Sequence, residues 1–314
     1  MSRSTPSIIA VSYPSGSATL ELLKPITWFP PMWAFACGVV SSGQPILANG
    51  FLVLAGVMLA GPLLCGTSQA VNDWFDRHVD AINEPNRPIP AGRMPGTWGL
   101  RVAIAWSLLS LIVAAMLGTW VLGASAVGLA LAWAYSAPPL RLKRNGWWGN
   151  SAVALSYEGL AWITGAAVML GGQLPDWRIL ILAFLYSVGA HGIMTLNDFK
   201  AIEGDLRMGI RSLPVQLGVR GAAWAACLFM ALPQGVVIAS LVAWQRPWHA
   251  LAVAALLGIQ FLMMIRFLRD PREQATWFSA SAVSVYVTGM MVSAFAVSDL
   301  DPVLGATTLS EFMP

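Results

Sequence analysis

Long apolar runs alternate along the chain with short breaks rich in Gly, Pro and charge, and nine of the runs approach the roughly 20 residues that carry a helix across a bilayer core. They predict membrane helices over 25–41, 51–76, 98–117, 120–137, 150–170, 177–200, 218–243, 247–268 and 276–297. The fold class is therefore an all-α polytopic membrane protein. Its organisation reads as a polar N-terminal tail over 1–20, one membrane domain over 21–298 and a C-terminal tail over 299–314.

Composition agrees: 57% of the 314 residues are hydrophobic against 11% charged, and the mean hydropathy is +0.65. A soluble domain of this length is excluded, and no nucleic-acid partner is expected. The first 20 residues have no apolar core after a basic start, so no cleavable signal peptide is expected. Cys37, Cys65 and Cys227 lie within predicted spans without CxxC spacing, which reads as three buried free thiols.

The distribution of charge sets an orientation. With nine spans, one face collects the N-terminal tail and the loops after the second, fourth, sixth and eighth helices. All of the eighteen Lys and Arg residues fall there except Arg178 and Arg246. By the positive-inside rule that face is cytoplasmic, and so is the N-terminus. Asp73, Asp76, Asp80, Asp198, Glu203 and Asp205 crowd onto the same basic face.

The second helix ends N-D-W-F-D-R-H-V-D, and spacings of three and four put Asp73, Asp76 and Asp80 on one helical face beside Asn72. Three carboxylates at a membrane boundary repel one another and lose solvation, which a divalent cation would relieve. Hard oxygen ligands with room for water and phosphate suit Mg²⁺ better than zinc. The sixth helix ends N-D-F-K-A-I-E-G-D: Asn197 and Asp198, with Asp205 seven residues on and on the same face if the helix stays regular. Each cluster is followed by an Arg-x-x-Pro element, Arg87 to Pro90 and Arg211 to Pro214, with Arg93 and Lys200 and Arg207 nearby, so the chain reads as an internal duplication. A diphosphate suits such a site. Carboxylates cannot hold it directly, but carboxylates holding Mg²⁺ with Lys and Arg beside them can, and the metal then favours departure of the diphosphate from an allylic carbon. Single solvated helix ends would account for one such cluster and not for two on matching helices.

These residues resemble the UbiA superfamily of intramembrane prenyltransferases, whose first motif NDxxDxxxD matches Asn72, Asp73, Asp76 and Asp80 without a gap. The resemblance covers about 21–298. It implies a nine-helix bundle with a central cavity, a Mg²⁺-bridged prenyl diphosphate held between two motifs, and catalytic and metal-binding roles for Asp73, Asp76, Asp80, Asp198 and Asp205. The family's second motif is DxxDxxxD, and here Ala201 replaces its middle Asp. A family element of Tyr followed by a basic loop is matched by Y-S-A-P-P-L-R-L-K-R, which implies that Tyr135 covers the reaction centre and Lys143 meets the phosphate. Asn72, Arg87, Asn197, Lys200, Arg207 and Arg211 complete the expected diphosphate-binding set.

Two stretches, Asp80 to Gly92 and Asn197 to Pro214, look like the chlorophyll and bacteriochlorophyll synthase branch, and a small residue at 201 fits it. That branch implies transfer of a geranylgeranyl or phytyl chain to the propionate of a Mg-tetrapyrrole of the chlorophyllide type. It also implies a bacterial inner or intracytoplasmic photosynthetic membrane, an active site toward the cytoplasm, and company among pigment-biosynthesis or light-harvesting assembly proteins. A propionate is ionised near neutral pH and needs no general base, unlike a phenol. Glu158, mid-span, and His191, two turns before Asp198, are the candidate acceptor-binding residues; ordinary packing is the competing reading of both. The fifteen Trp residues read mainly as interfacial belts. Rival functions are a quinone-precursor or haem prenyltransferase sharing the same Asp residues, and a carrier of diphosphate-linked or divalent-ion cargo, which would sooner place its polar groups near the midplane.

Overall fold

A computed structural model describes residues 13–300. The chain forms helices α1 (Gly16–Leu23), α2 (Phe29–Ser41), α3 (Gly50–Asn83), α4 (Trp98–Leu117), α5 (Thr119–Ser136), α6 (Gly146–Met169), α7 (Trp177–Asp198), α8 (Ile202–Met208), α9 (Leu213–Ala243), α10 (Pro247–Arg269) and α11 (Pro271–Ser298). A helix stands at each of the nine predicted places. Pro at the first turns of α9, α10 and α11 starts them where a missing N–H costs nothing.

Eight of these helices, α3 to α7 and α9 to α11, are long and apolar enough to cross a membrane. The exception is α2. A single span was expected over 25–41, but the chain makes a 3-10 turn at Pro25–Thr27 and begins the α-helix only at Phe29. Its 13 residues rise only about 20 Å, short of a hydrocarbon core of about 30 Å. The helix α1 begins at Gly16, inside the stretch read as a polar tail, and buries Ala18, Leu22 and Leu23 against Ala70 and Val71 of α3.

The bundle has two apolar clusters that share α2 and α6. The larger is built by α2, α6, α7, α9, α10 and α11, the smaller by α2, α3 and α6 with Ala114 of α4 and Val121 of α5. Lipid is as apolar as a leucine side chain, so helices associate in it through close backbone approach instead of hydrophobic burial. The α2–α6 crossing shows how: a Cβ on Gly38 would lie 2.0 Å from the Trp162 carbonyl oxygen, and one on Gly165 would lie 2.1 Å from that of Phe35. Side chains of α2, α3, α5, α6 and α7 line a cavity within the bundle.

Two helices widen beside it. Leu59–Cys65 in α3 and Leu155–Leu160 in α6 are π-helical. Pro62 supplies part of the cause in α3, since it cannot donate to the ladder. Such bulges re-aim side chains and are frequent at functional sites.

Candidate active site

The first acid cluster stays on one regular helix, as its spacing predicts, and the structure surrounds it with bases. Asp73 is almost fully buried. Its Oδ1 receives Lys24 Nζ at 2.6 Å and Arg87 Nη1 at 3.3 Å, and its Oδ2 is buried with no hydrogen-bond partner. Arg87 also donates to Asp80 Oδ2 at 2.8 Å. Asp76, a turn away, accepts from Lys143 Nζ at 2.5 Å and from Arg141 Nη2 at 3.3 Å. Burial opposes the charge on Arg87, but Asp73 and Asp80 together outweigh it and hold the guanidinium above its usual pKa. Lys143 goes the other way, because burial outweighs the attraction of Asp76 and lowers it. Asn72 donates to Ser136 Oγ at 3.2 Å.

The second cluster is built differently from the expectation. The helix ends at Asp198 and the chain turns through Phe199 to Ala201, with Lys200 N donating to Asn197 O and Ala201 N to Asp198 O. Asp205 therefore belongs to the separate short helix α8, and the seven-residue spacing from Asp198 does not describe one helical face. It is buried all the same, which pushes its carboxyl above the usual carboxylate range. Asp198 Oδ2 accepts from Asn150 Nδ2 at 3.1 Å. Lys200, Arg207 and Arg211 are exposed, on the turn, on α8 and on the loop behind it. The Arg211 N–H donates to Arg144 O and Gly146 N–H donates to Arg211 O, both at 2.8 Å, so the loop after α8 is bonded to the basic loop after α5.

Asn72 of the first motif and Asn197 and Asp198 of the second reach one cavity of about 280 Å³, whose lining includes none of Asp73, Asp76, Asp80 and Asp205. Asn72, Tyr135, Asn150, Asn197 and Asp198 line its polar end, and Pro31, Ala60, Leu64, Leu131, Leu160 and Met194 line much of the rest. The cavity wall, among the described residues, includes neither candidate acceptor residue. Glu158 is buried in the π segment of α6 with Oε2 unpartnered. His191 is buried with Nδ1 3.1 Å from Ser151 Oγ, stacked on Trp147 and 4.4 Å from the Phe229 ring. The three cysteines are free and buried, as expected.

Among the described residues no three His, Cys, Asp or Glu side chains converge closely enough to hold a metal alone. Mg²⁺ suits this arrangement, because it binds through one or two carboxylates and completes its shell with water and substrate phosphate. The unpartnered Asp73 Oδ2, the hard oxygen donors and the lack of soft ligands fit that ion. Sequence reasoning missed Lys24 and Asn150, which carry no motif: a lysine before a span looks like ordinary topology, and an Asn at a helix start looks like a cap.

The sequence pattern of the UbiA prenyltransferase family matches residues 10–297. The chain belongs to that family. This family member is 57% identical over 288 residues to the bacteriochlorophyll synthase 33 kDa chain of Rhodobacter capsulatus, covering 91% of this chain and 95% of the relative. It is 38% identical to the chloroplastic chlorophyll synthase of Oryza sativa, covering 89% and 76%. A UbiA homolog from Archaeoglobus fulgidus, solved bound to GPP and Mg²⁺, shares the fold with a TM-score of 0.67 at 18% identity, over 90% of this prenyltransferase and 99% of that chain.

Proposed function

We propose that this prenyltransferase transfers a geranylgeranyl or phytyl chain from its diphosphate to the propionate of a bacteriochlorophyllide-type Mg-tetrapyrrole, forming a bacteriochlorophyll. One observation carries the site reading: a single cavity has Asn72, Asn197 and Asp198 from both acid motifs at its polar end and an apolar lining beyond. A charged diphosphate with a hydrocarbon tail has that polarity. The acceptor rests on the similarity to the Rhodobacter and rice synthases.

In this reading Asp73, Asp76, Asp80, Asp198 and Asp205 hold Mg²⁺, which when bound neutralises the diphosphate and favours its departure. Lys24, Arg87, Arg141 and Lys143 pair with the first three carboxylates and would be placed to meet phosphate oxygens where Mg²⁺ neutralised those carboxylates. Lys200, Arg207 and Arg211 add positive charge from the exposed side of the second motif. Tyr135, in the cavity wall, covers the allylic carbon and keeps water from it. The acceptor carboxylate attacks that carbon as the C–O bond to diphosphate breaks, so the ester forms without a general base.

We further infer an active site on the cytoplasmic face of a bacterial inner or photosynthetic membrane, from the crowding of Lys and Arg there, and one membrane unit that ends with α11 at Ser298 and takes in α1 from Gly16, ahead of the boundary at 21 that the sequence suggests. Association with pigment-assembly proteins follows from the branch, and recovery of a partner-free monomer from native membranes in mild detergent would count against it.

The test is incubation of membranes containing the protein with radiolabelled geranylgeranyl diphosphate, Mg²⁺ and bacteriochlorophyllide, with 4-hydroxybenzoate and haem in parallel. Label entering the tetrapyrrole only with magnesium present supports the reading. Label entering another acceptor would overturn the acceptor and keep the site.

A further inference from the structure

One polar group in the cavity wall has no part in the reading above. Tyr157, in the π segment of α6, points its hydroxyl at α3. There it accepts from Gln69 Nε2 at 3.1 Å, lies 3.2 Å from Ser68 Oγ and receives Cys65 Sγ at 3.2 Å. Cys65, Ser68, Gln69 and Tyr157 all line the cavity. Both π-helical segments take part, since Cys65 closes one and Tyr157 belongs to the other.

Position and chemistry suggest what the group serves. Gln69 precedes Asn72 by three residues and Asp73 by four, which on a continuous helix is about 5–6 Å deeper. That is the depth at which a chain held by its diphosphate at the Asp end presents its first carbon. The donors are neutral, and Gln69 spends only one of its two N–H groups on Tyr157. An ionised carboxylate entering an apolar cavity must be met by hydrogen-bond donors, or its desolvation forbids entry. A Lys or Arg would supply them but would also hold the carboxylate's charge back from an electrophilic carbon. Neutral amide and hydroxyl donors orient it and leave it nucleophilic.

We propose that Gln69 and Tyr157, supported by Ser68, position the acceptor: they hydrogen-bond its ionised carboxylate and hold one oxygen against the allylic carbon. This deepens the function proposed above and rests on it. The step is balanced, because the carboxylate oxygen forms the C–O bond of the ester, the bond to the diphosphate breaks with its electron pair, and the negative charge passes from acceptor to leaving group with no proton transferred.

The experiment uses the full chain in membranes, as wild type, Tyr157→Phe and Gln69→Leu. Rates are measured against bacteriochlorophyllide and against geranylgeranyl diphosphate, with the methyl ester of the acceptor as a competitor that keeps the macrocycle and loses the charge. Losing one hydrogen bond to a charged group should raise the acceptor KM about tenfold or more. The KM for the diphosphate should stay at its wild-type value, and the preference for free acid over methyl ester should collapse in both variants. A mere clamp between α3 and α6 would lower thermal stability without moving that preference. Unchanged acid-to-ester preference in both variants, or loss of diphosphate binding alongside it, overturns the assignment. A wild-type protein that prenylates no carboxylate acceptor would instead overturn the underlying function, an outcome the wild-type control reads before any variant is compared.

Discussion

Lys24 offers the sharpest test of how the acid cluster is neutralised. Its Nζ lies 2.6 Å from Asp73 Oδ1, with 22% of the lysine side chain and 2% of the aspartate side chain exposed. Lys24→Met keeps the apolar stem and removes the charge. Breaking a fully buried ion pair from one side costs about 3–5 kcal/mol. Here Lys24 is partly solvated and Arg87 remains at 3.3 Å, so a loss of about 2 kcal/mol is expected, near the value of one charge-assisted hydrogen bond. Mg²⁺ should reverse the effect. In wild type the ion must displace Lys24 from Asp73, whereas in the variant it meets a carboxylate already short of a partner and so stabilises the fold more. The assay is thermal unfolding of the detergent-solubilised protein, followed by size-exclusion recovery, in EDTA and in excess Mg²⁺, with Asp73→Asn completing a double-mutant cycle. A variant as stable as wild type in EDTA would refute the reasoning. So would a Lys24→Met penalty that persists undiminished in the Asp73→Asn background.

Further outcomes are expected. Asp198→Asn should lower prenyl transfer at least about a hundredfold while the protein stays inserted and monodisperse, since its side chain faces the cavity and an amide there can still accept from Asn150 and from the backbone N–H of Leu213; transfer and size-exclusion profiles check both halves. EDTA should abolish transfer, and Mg²⁺ restore it, without unfolding the bundle, as circular dichroism of the same samples would show. Gly38→Leu should prevent recovery of a monodisperse protein, because even its Cβ meets the Trp162 carbonyl oxygen, whereas Gly258→Ala, with nothing within 4 Å, should be recovered like wild type.

The helices were legible in the sequence because a bilayer imposes one rule on every span, namely enough apolar residues to cover the hydrocarbon. That rule measures length and says nothing of shape, so it merged the turn at Pro25–Thr27 with α2 and passed over the π segments at Leu59–Cys65 and Leu155–Leu160. The first motif was legible because its carboxylates repeat at helical spacing on one unbroken helix. The second misled at Asp205, where three residues of turn after Asp198 break the periodicity that the spacing assumed. Lys24, Gln69 and the pair Asn150 and Tyr157 come from three separate stretches, at the end of α1, in α3 and in α6, and they reach their partners only when α1, α3, α6 and α7 assemble. No local pattern announces them.

The backbone pairing between Asn145 and Arg211 has a thermodynamic consequence. It fastens the loop that carries Lys143, the partner of Asp76, to the loop that closes the second acid cluster. Two sites that share a support cannot settle independently. When a ligand at one draws Lys143 away from Asp76, the strand of chain that moves is tied to the surroundings of Asp205, and by reciprocity occupation of the second cluster is felt at the first. If the two clusters hold one diphosphate as proposed, their filling is linked, and an enzyme so clasped would release it from both together.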